Sequence, residues 1–98
     1  MKRAPRSRSL YTARFRSKLF KYEGPGSWYF APVPQKYAPP VTEPWGRTPV
    51  MATVDGHEWK TSVWRAKDGR SVLAVPKHVR GAKGHGDTVS VTIEFSTL

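Results

Sequence analysis

Two segments of the chain resemble each other in residue type at nearly every position. Phe15 to Lys21 reads FRSKLFK, and Trp59 to Arg65 reads WKTSVWR. With one residue dropped at each of two points, the correspondence continues to a shared proline: Gly26 falls on Gly69, Phe30 on Leu73, Ala31 on Ala74, Val33 on Val75 and Pro34 on Pro76. The sequence therefore predicts two copies of a unit made of strand, strand, short crossover and strand. Two such units that close on each other leave no exposed sheet edge, which favours a barrel. Chance similarity between short β segments is the alternative.

Helical patterns are scarce and strand patterns are frequent. Eight glycines and nine prolines interrupt the chain, and no stretch keeps apolar residues at helical spacing for more than about two turns. The clearest strand is 87–95, where apolar and polar residues alternate. A hairpin is predicted across 49–65 around Asp55-Gly56, because both central positions of a type I′ turn need positive φ. The remaining predicted elements are strands at 13–22, 28–33 and 72–75, with 28–33 as the partner of 13–22, and one short helix near 76–82 that begins at Pro76.

The length of the chain limits it to one domain. Ninety-eight residues can build a single hydrophobic core, so we expect a flexible basic arm at 1–11 and one mainly β domain at 12–98. Trp28, Trp45 and Trp59 are expected to fill the core, because aromatic side chains bury the largest areas. The chain has no cysteine and no apolar run of membrane-spanning length. We therefore expect a soluble cytoplasmic protein that makes no membrane contact.

The charge of the chain is strongly positive and unevenly placed. Seventeen lysines and arginines oppose seven acids, for a net charge of +10, and eight of the basic residues precede Glu23, the first acid. Such a chain attracts polyanions. Strand alternation sends neighbouring residues to opposite faces, so Phe15 and Trp59 are expected in the core. The candidate residues for binding nucleic acid or another polyanion are Arg14, Arg16, Lys18, Lys60 and Arg65. The simpler interpretation is a solvated basic face.

A cleft between the two halves offers a second hypothesis. Trp45 and Trp64 would line it, with Lys60, Ser62 and Arg80 as polar groups, and a small anionic metabolite would be its ligand. A third hypothesis is an interaction domain whose basic face meets an acidic protein.

No catalytic or metal-binding pattern is recognisable. Ser62, His57 or His78, and Asp55 can be combined into a triad on paper, but no nucleophile motif supports it. No histidine pairs with another histidine or an acid at helical spacing, and the glycine-rich stretches lack the ending of a phosphate loop. We expect a protein that is not an enzyme and has no cofactor.

Several stretches together resemble a known family. They are residues 15–30 with the turn EGPGSW, Trp45-Gly46, the run VDGHEWKTS at 54–62, LAVPK at 73–77, Arg80, and GDTVSVT at 86–92. This pattern is similar to the bacterial domain of unknown function family 1905. The resemblance implies a double-split β-barrel related to the swapped-hairpin DNA-binding domains of the AbrB and MazE type, with no established activity. The chain departs from the family pattern at Ala38-Pro39-Pro40, where a short helix is usual. Because both half-units lie in one chain, we expect a monomer.

Overall fold

The protein forms a single antiparallel sheet of seven strands. A computed structural model describes residues 10–96. The strands are β1 (Leu10–Lys18), β2 (Phe20–Lys21), β3 (Tyr29–Val33), β4 (Arg47–Val54), β5 (His57–Arg65), β6 (Ser71–Ala74) and β7 (Thr88–Ser96). One short helix, α1 (Lys77–Arg80), precedes β7, and two 3-10 turns, Gln35–Tyr37 and Pro44–Gly46, lie in the first crossover. This mainly β architecture with one short helix confirms the predicted fold class.

The sheet curls until its two end strands meet. The strand order is β1-β7-β4-β5-β6-β3-β2, and β1 and β2 are adjoining pieces of chain separated by Leu19 alone. Ser17 Oγ donates a hydrogen bond of 2.7 Å to the Pro32 carbonyl, which links β1 to β3 across this junction. Leu19 itself is held by the turn that precedes β7, because its N–H donates to the Asp87 carbonyl at 2.8 Å. The result is a small barrel-like sheet in which every pairing is antiparallel.

The register of β3 against β6 reflects the sequence repeat. Phe30 is opposite Ala74, and Ala31 is opposite Leu73. The repeat superposes Phe30 on Leu73 and Ala31 on Ala74, so exchanging the two copies exchanges these two residue pairs. An approximate two-fold axis therefore passes between β3 and β6, which is the arrangement expected of two equivalent half-units.

The predicted hairpin at 49–65 is present. β4 pairs with β5 over the whole length of β4, from Arg47 opposite Trp64 to Val54 opposite His57. Asp55 and Gly56 occupy the turn with φ of 48° and 90°, as a type I′ turn requires. The Asp55 side chain reinforces it by accepting a hydrogen bond of 2.9 Å from the Ser90 N–H.

The predicted pairing of 13–22 with 28–33 is largely wrong. Leu10–Lys18 pairs with β7 along its whole length, and only Phe20 and Lys21 pair with β3. The chain bends at Leu19, whose backbone N–H and carbonyl form hydrogen bonds with the turn at 86–87. The single predicted strand is therefore two strands, which pair with different neighbours. Residues 1–9 of the predicted arm lie outside the described residues, whereas Leu10 and Tyr11 belong to β1.

The core consists of small and branched aliphatic side chains with one phenylalanine. Its buried members are Ala13, Leu19, Ala31, Val33, Val50, Ala52, Val54, Val63, Leu73, Val75, Val79, Val89, Val91, Ile93 and Phe95. Trp59 packs partly buried against this cluster.

Two of the three tryptophans predicted for the core are exposed, and that prediction is wrong. Trp45 is 89% exposed and Trp28 is 54% exposed. Trp45 lies in a 3-10 turn with a φ of 72°, where strand alternation does not apply. Trp28 falls outside because Ala31 and Val33 face inward, and alternation along the strand then sends residues 28 and 30 to the outer face.

Within residues 10–96, no helix combines the length and the apolar composition needed to cross a bilayer.

Candidate functional site

Three basic side chains project from the outer face of β1. Ala13 and Ser17 are buried, so strand alternation directs Arg14, Arg16 and Lys18 outward, and all three are exposed. Alternate residues of a strand lie about 6.6 Å apart, so the three charges form a row that we call the cationic stripe. Their register partners on β7 are uncharged, namely Thr92, Ser90 and Thr88.

No carboxylate in the described part of the chain forms an ion pair with the cationic stripe. The ion pairs found there join Arg47 to Glu43, Arg70 to Asp68 and Lys83 to Asp55. Hydrogen bonds from Lys83 Nζ and from the Ser90 N–H lower the pKa of Asp55 from its ordinary value of 3.8. Hydrogen bonds from the backbone N–H and side chain of Arg70 lower the pKa of Asp68 in the same way. These two acids are therefore charged and engaged by residues outside the cationic stripe.

The other two predicted polyanion-binding residues lie apart from the stripe on β5. Lys60 is opposite Met51 of β4, and Met51 is opposite Glu94 of β7, so an acidic residue stands between Lys60 and β1. Arg65 ends β5, where its Nη2 donates to the Pro39 carbonyl at 3.4 Å. Of the five residues, the structure brings together only the three on β1.

An aromatic groove lies on the outer face of the strands that follow the stripe. It is a cavity of about 350 Å³ lined by Tyr22, Trp28, Phe30, Trp64, Arg65, Ala66, Val72 and Ala74. Phe30 is its centre: Trp28 stacks parallel to it at 6.2 Å between ring centroids, and Tyr22 meets it edge-on at 6.2 Å. Tyr22, Trp28 and Trp64 are 46%, 54% and 39% exposed. Exposed aromatic side chains that are contiguous in this way mark interaction sites more often than isolated ones do.

The stripe and the groove are parts of one row. Positions 14, 16, 18, 20 and 22 alternate with the buried residues 13, 17 and 19. Phe20 therefore continues the outer face beyond Lys18, and it contacts Phe30 at 5.7 Å between centroids. The ladder extends to Tyr22, whose N–H donates to the Trp28 carbonyl at 2.8 Å. Charged and aromatic side chains thus follow one another along β1 and β2.

Sequence reasoning missed the aromatic groove. It placed Trp28 in the core and did not connect Phe30 with Trp64. The signal that could have found it is the outward alternation from Arg14 through Tyr22, together with the turn at 24–26, which returns Trp28 to a position beside Tyr22.

A larger cleft adjoins the groove at Trp28 and Ala74, which line both. Its volume is about 550 Å³, and its lining is Ser27, Trp28, Tyr29, Trp59, Thr61, Ala74, Val75, Pro76 and Lys77. Three of the nine lining residues are aromatic, three more are aliphatic, and hydroxyl groups and one lysine supply polarity. This composition and size are typical of a small-molecule site.

The five residues predicted to line a cleft lie in separate places. Trp64 lines the aromatic groove, while the other four line neither this groove nor the larger cleft. Ser62 is buried and accepts a hydrogen bond of 3.0 Å from Arg47 Nη1. The Arg80 guanidinium packs over the Tyr29 ring at 3.8 Å, and its Nε is buried with no hydrogen-bond partner among the described residues. Arg80 therefore contacts Tyr29, which is one of the residues that line the larger cleft.

The histidines do not converge. His85 Nδ1 accepts a hydrogen bond of 3.1 Å from the Lys21 N–H, and His57 and His78 are exposed. A search of residues 10–96 finds no group of three or more histidines and acids that could hold a metal ion.

The fold and the surface together define a small antiparallel β-barrel domain whose exterior is basic on one strand and aromatic on the next. The sequence profile of the family described as "Domain of unknown function (DUF1905)" matches residues 15–93, so the chain belongs to this family. Searches of curated proteins and of solved structures found no match.

Proposed function

We propose that this protein is a noncatalytic binding module for a polyanion, and that the polyanion is nucleic acid. The observation that carries the proposal is the cationic stripe, in which Arg14, Arg16 and Lys18 are exposed in a row without an ion-pair partner in the described residues. Phosphates accept charge-assisted hydrogen bonds from such side chains and release counterions when bound. In the sequence, four more basic residues precede β1.

The hydroxyl-bearing partners of the stripe support the same function. Thr88, Ser90 and Thr92 lie beside it on β7, and hydroxyl groups hydrogen-bond to phosphate oxygens without adding charge. The approximate two-fold arrangement of half-units also supports the proposed relation to swapped-hairpin DNA-binding domains of the AbrB and MazE type. We also propose that the protein is bacterial, that it is located in the cytoplasm and that it is a monomer.

Fluorescence anisotropy with a labelled oligonucleotide tests the proposal. Affinity should fall as the salt concentration rises. Three phosphate contacts to a single strand should give a slope of about −2 when log affinity is plotted against log salt concentration. A flat titration at low salt would refute nucleic-acid binding. Salt-resistant capture of an acidic protein, with no oligonucleotide binding, would favour the interaction-domain hypothesis instead.

The adjoining cleft favours a second candidate function, the binding of a small anionic metabolite. Trp28, Tyr29 and Trp59 would hold an apolar ring, and Lys77 would attract an anionic group. Chemical-shift mapping against a metabolite library tests this candidate. It fails if no compound shifts the resonances of Trp28, Trp59 and Thr61.

A further inference from the structure

We propose that the aromatic groove stacks the unpaired bases of a single-stranded nucleic acid whose phosphates lie on the cationic stripe. This inference rests on the proposed function and goes beyond it by naming the strandedness of the ligand.

The continuity fixes the path of the ligand. Lys18 ends β1 and Phe20 begins β2. Leu19 between them is buried, so both side chains lie on the outer face, and a ligand that follows β1 into β2 passes from charged to aromatic contacts without crossing the sheet. From Arg14 to Tyr22 the path covers eight residue-to-residue steps, or roughly 27 Å of backbone at the usual rise of a strand. That length accommodates a few nucleotides, in line with the smallest sites of single-strand-binding domains, which hold about four.

The chemistry of the groove selects unpaired bases. Its lining is aromatic and aliphatic except for Arg65, so it offers apolar ring surface more than donors and acceptors for base edges. In a duplex the faces of the bases are stacked on each other and only their edges reach the grooves. An unpaired base presents a free face, and stacking of this kind tolerates any base. The groove therefore suits a single strand. A duplex would contact the cationic stripe through its phosphates but would gain no stacking contacts in the groove.

Trp28 is the residue on which the inference depends most. It is 54% exposed, it stacks parallel to Phe30, and it lines both the groove and the cleft. A base held against Trp28 is thus supported by a second ring beneath it. An acidic protein needs no such platform, because carboxylates would be satisfied by the stripe alone.

The experiment compares two tryptophan variants on three ligands. Trp28→Ala removes the platform, and Trp45→Ala removes an equally large indole that is 89% exposed elsewhere. The ligands are labelled oligothymidylate of 12 nucleotides, its duplex with oligoadenylate, and polyglutamate. The wild-type protein should bind the single strand at least tenfold more tightly than the duplex. Trp28→Ala should weaken single-strand binding roughly 5- to 150-fold and leave duplex binding unchanged, and Trp45→Ala should change neither.

The outcomes separate this inference from the proposed function. If single strand and duplex bind equally, and Trp28→Ala behaves like Trp45→Ala, base stacking is overturned while nucleic-acid binding stands. If no oligonucleotide binds, both fail. Polyglutamate binding as tight as oligothymidylate binding would also overturn stacking, because charge alone would then suffice. Trp28→Phe keeps an aromatic ring and should recover most of the affinity; a loss equal to that of Trp28→Ala contradicts a stacking role.

Discussion

Replacing Arg14 and Arg16 by glutamine removes two of the three charges of the cationic stripe. Both side chains are exposed and the strand keeps its inward residues, so stability should change by no more than about 0.5 kcal/mol. Each phosphate contact to a single strand contributes about 0.7 to the slope of log affinity against log salt. Losing two contacts should therefore reduce that slope by about 1.4. If the variant and the wild type bind equally at 1 M salt, the variant should bind about 25-fold more weakly than the wild type at 0.1 M. The factor follows because the slopes differ by about 1.4 over one decade of salt concentration.

A matched control distinguishes the stripe from the general positive charge of the protein. Lys36→Gln combined with Lys60→Gln removes the same two charges from exposed positions outside β1. Anisotropy titrations with labelled oligothymidylate would cover about 50 to 500 mM salt, where counterion release is measurable. The slope of log affinity against log salt should be reduced for the stripe variant and nearly unchanged for the control. Equal losses in the two variants, or a loss without a change in slope, would refute the assignment of the phosphates to the stripe.

Three further predictions concern the fold that presents this surface. Gly46→Ala should cost about 3 kcal/mol in urea denaturation, because φ is +74° and the new Cβ would lie 2.7 Å from the Arg65 carbonyl oxygen. Asp55→Asn should cost about 1 kcal/mol at neutral pH. Because the ion pair with Lys83 lowers the pKa of Asp55 from 3.8, that contribution exists above this value and is lost as the pH falls through the lower native pKa. Ile93→Ala should cost about 2–5 kcal/mol, since its side chain is fully buried.

Each of these predictions has its own control. Gly56→Ala has a φ of +90° but no atom within 4 Å of the new Cβ, so it should cost only about 1–2 kcal/mol; an equal loss at both glycines contradicts the steric argument. For Asp55→Asn, a difference from wild type that persists unchanged at pH 2, roughly two units below the ordinary value, argues against the ion pair. Trp45→Ala should stay within about 0.5 kcal/mol of wild type, and a loss as large as that of Ile93→Ala would contradict its exposure.

Local patterns were enough to predict most of the strands and the position of the stripe. The alternation in 87–95 and the Asp55-Gly56 turn identified β7 and the β4–β5 hairpin, because both signals act between residues close in sequence. The same alternation placed Arg14, Arg16 and Lys18 outside. Each of these features depends only on residues that are close together in the sequence.

Features that depend on long-range pairing or irregular backbone could not be predicted in this way. The pairing of β1 with β7 joins the two ends of the described chain, and nothing local specifies it. The prediction for Trp45 was wrong because residue type favours the core for tryptophan. The 3-10 turn Pro44–Gly46, in the irregular first crossover, holds this side chain in solvent instead. The aromatic groove requires the register of β3 against β2 and β6, which sequence spacing alone does not give.

Amide chemical-shift mapping of the labelled protein with oligothymidylate tests the central claim most directly. The account predicts a continuous track of shifted resonances along β1 from Arg14 to Lys18 that passes through Phe20 to Trp28, Phe30 and Trp64. Shifts confined to the cleft around Trp59 and Thr61, or spread evenly over all exposed lysines and arginines, would contradict it.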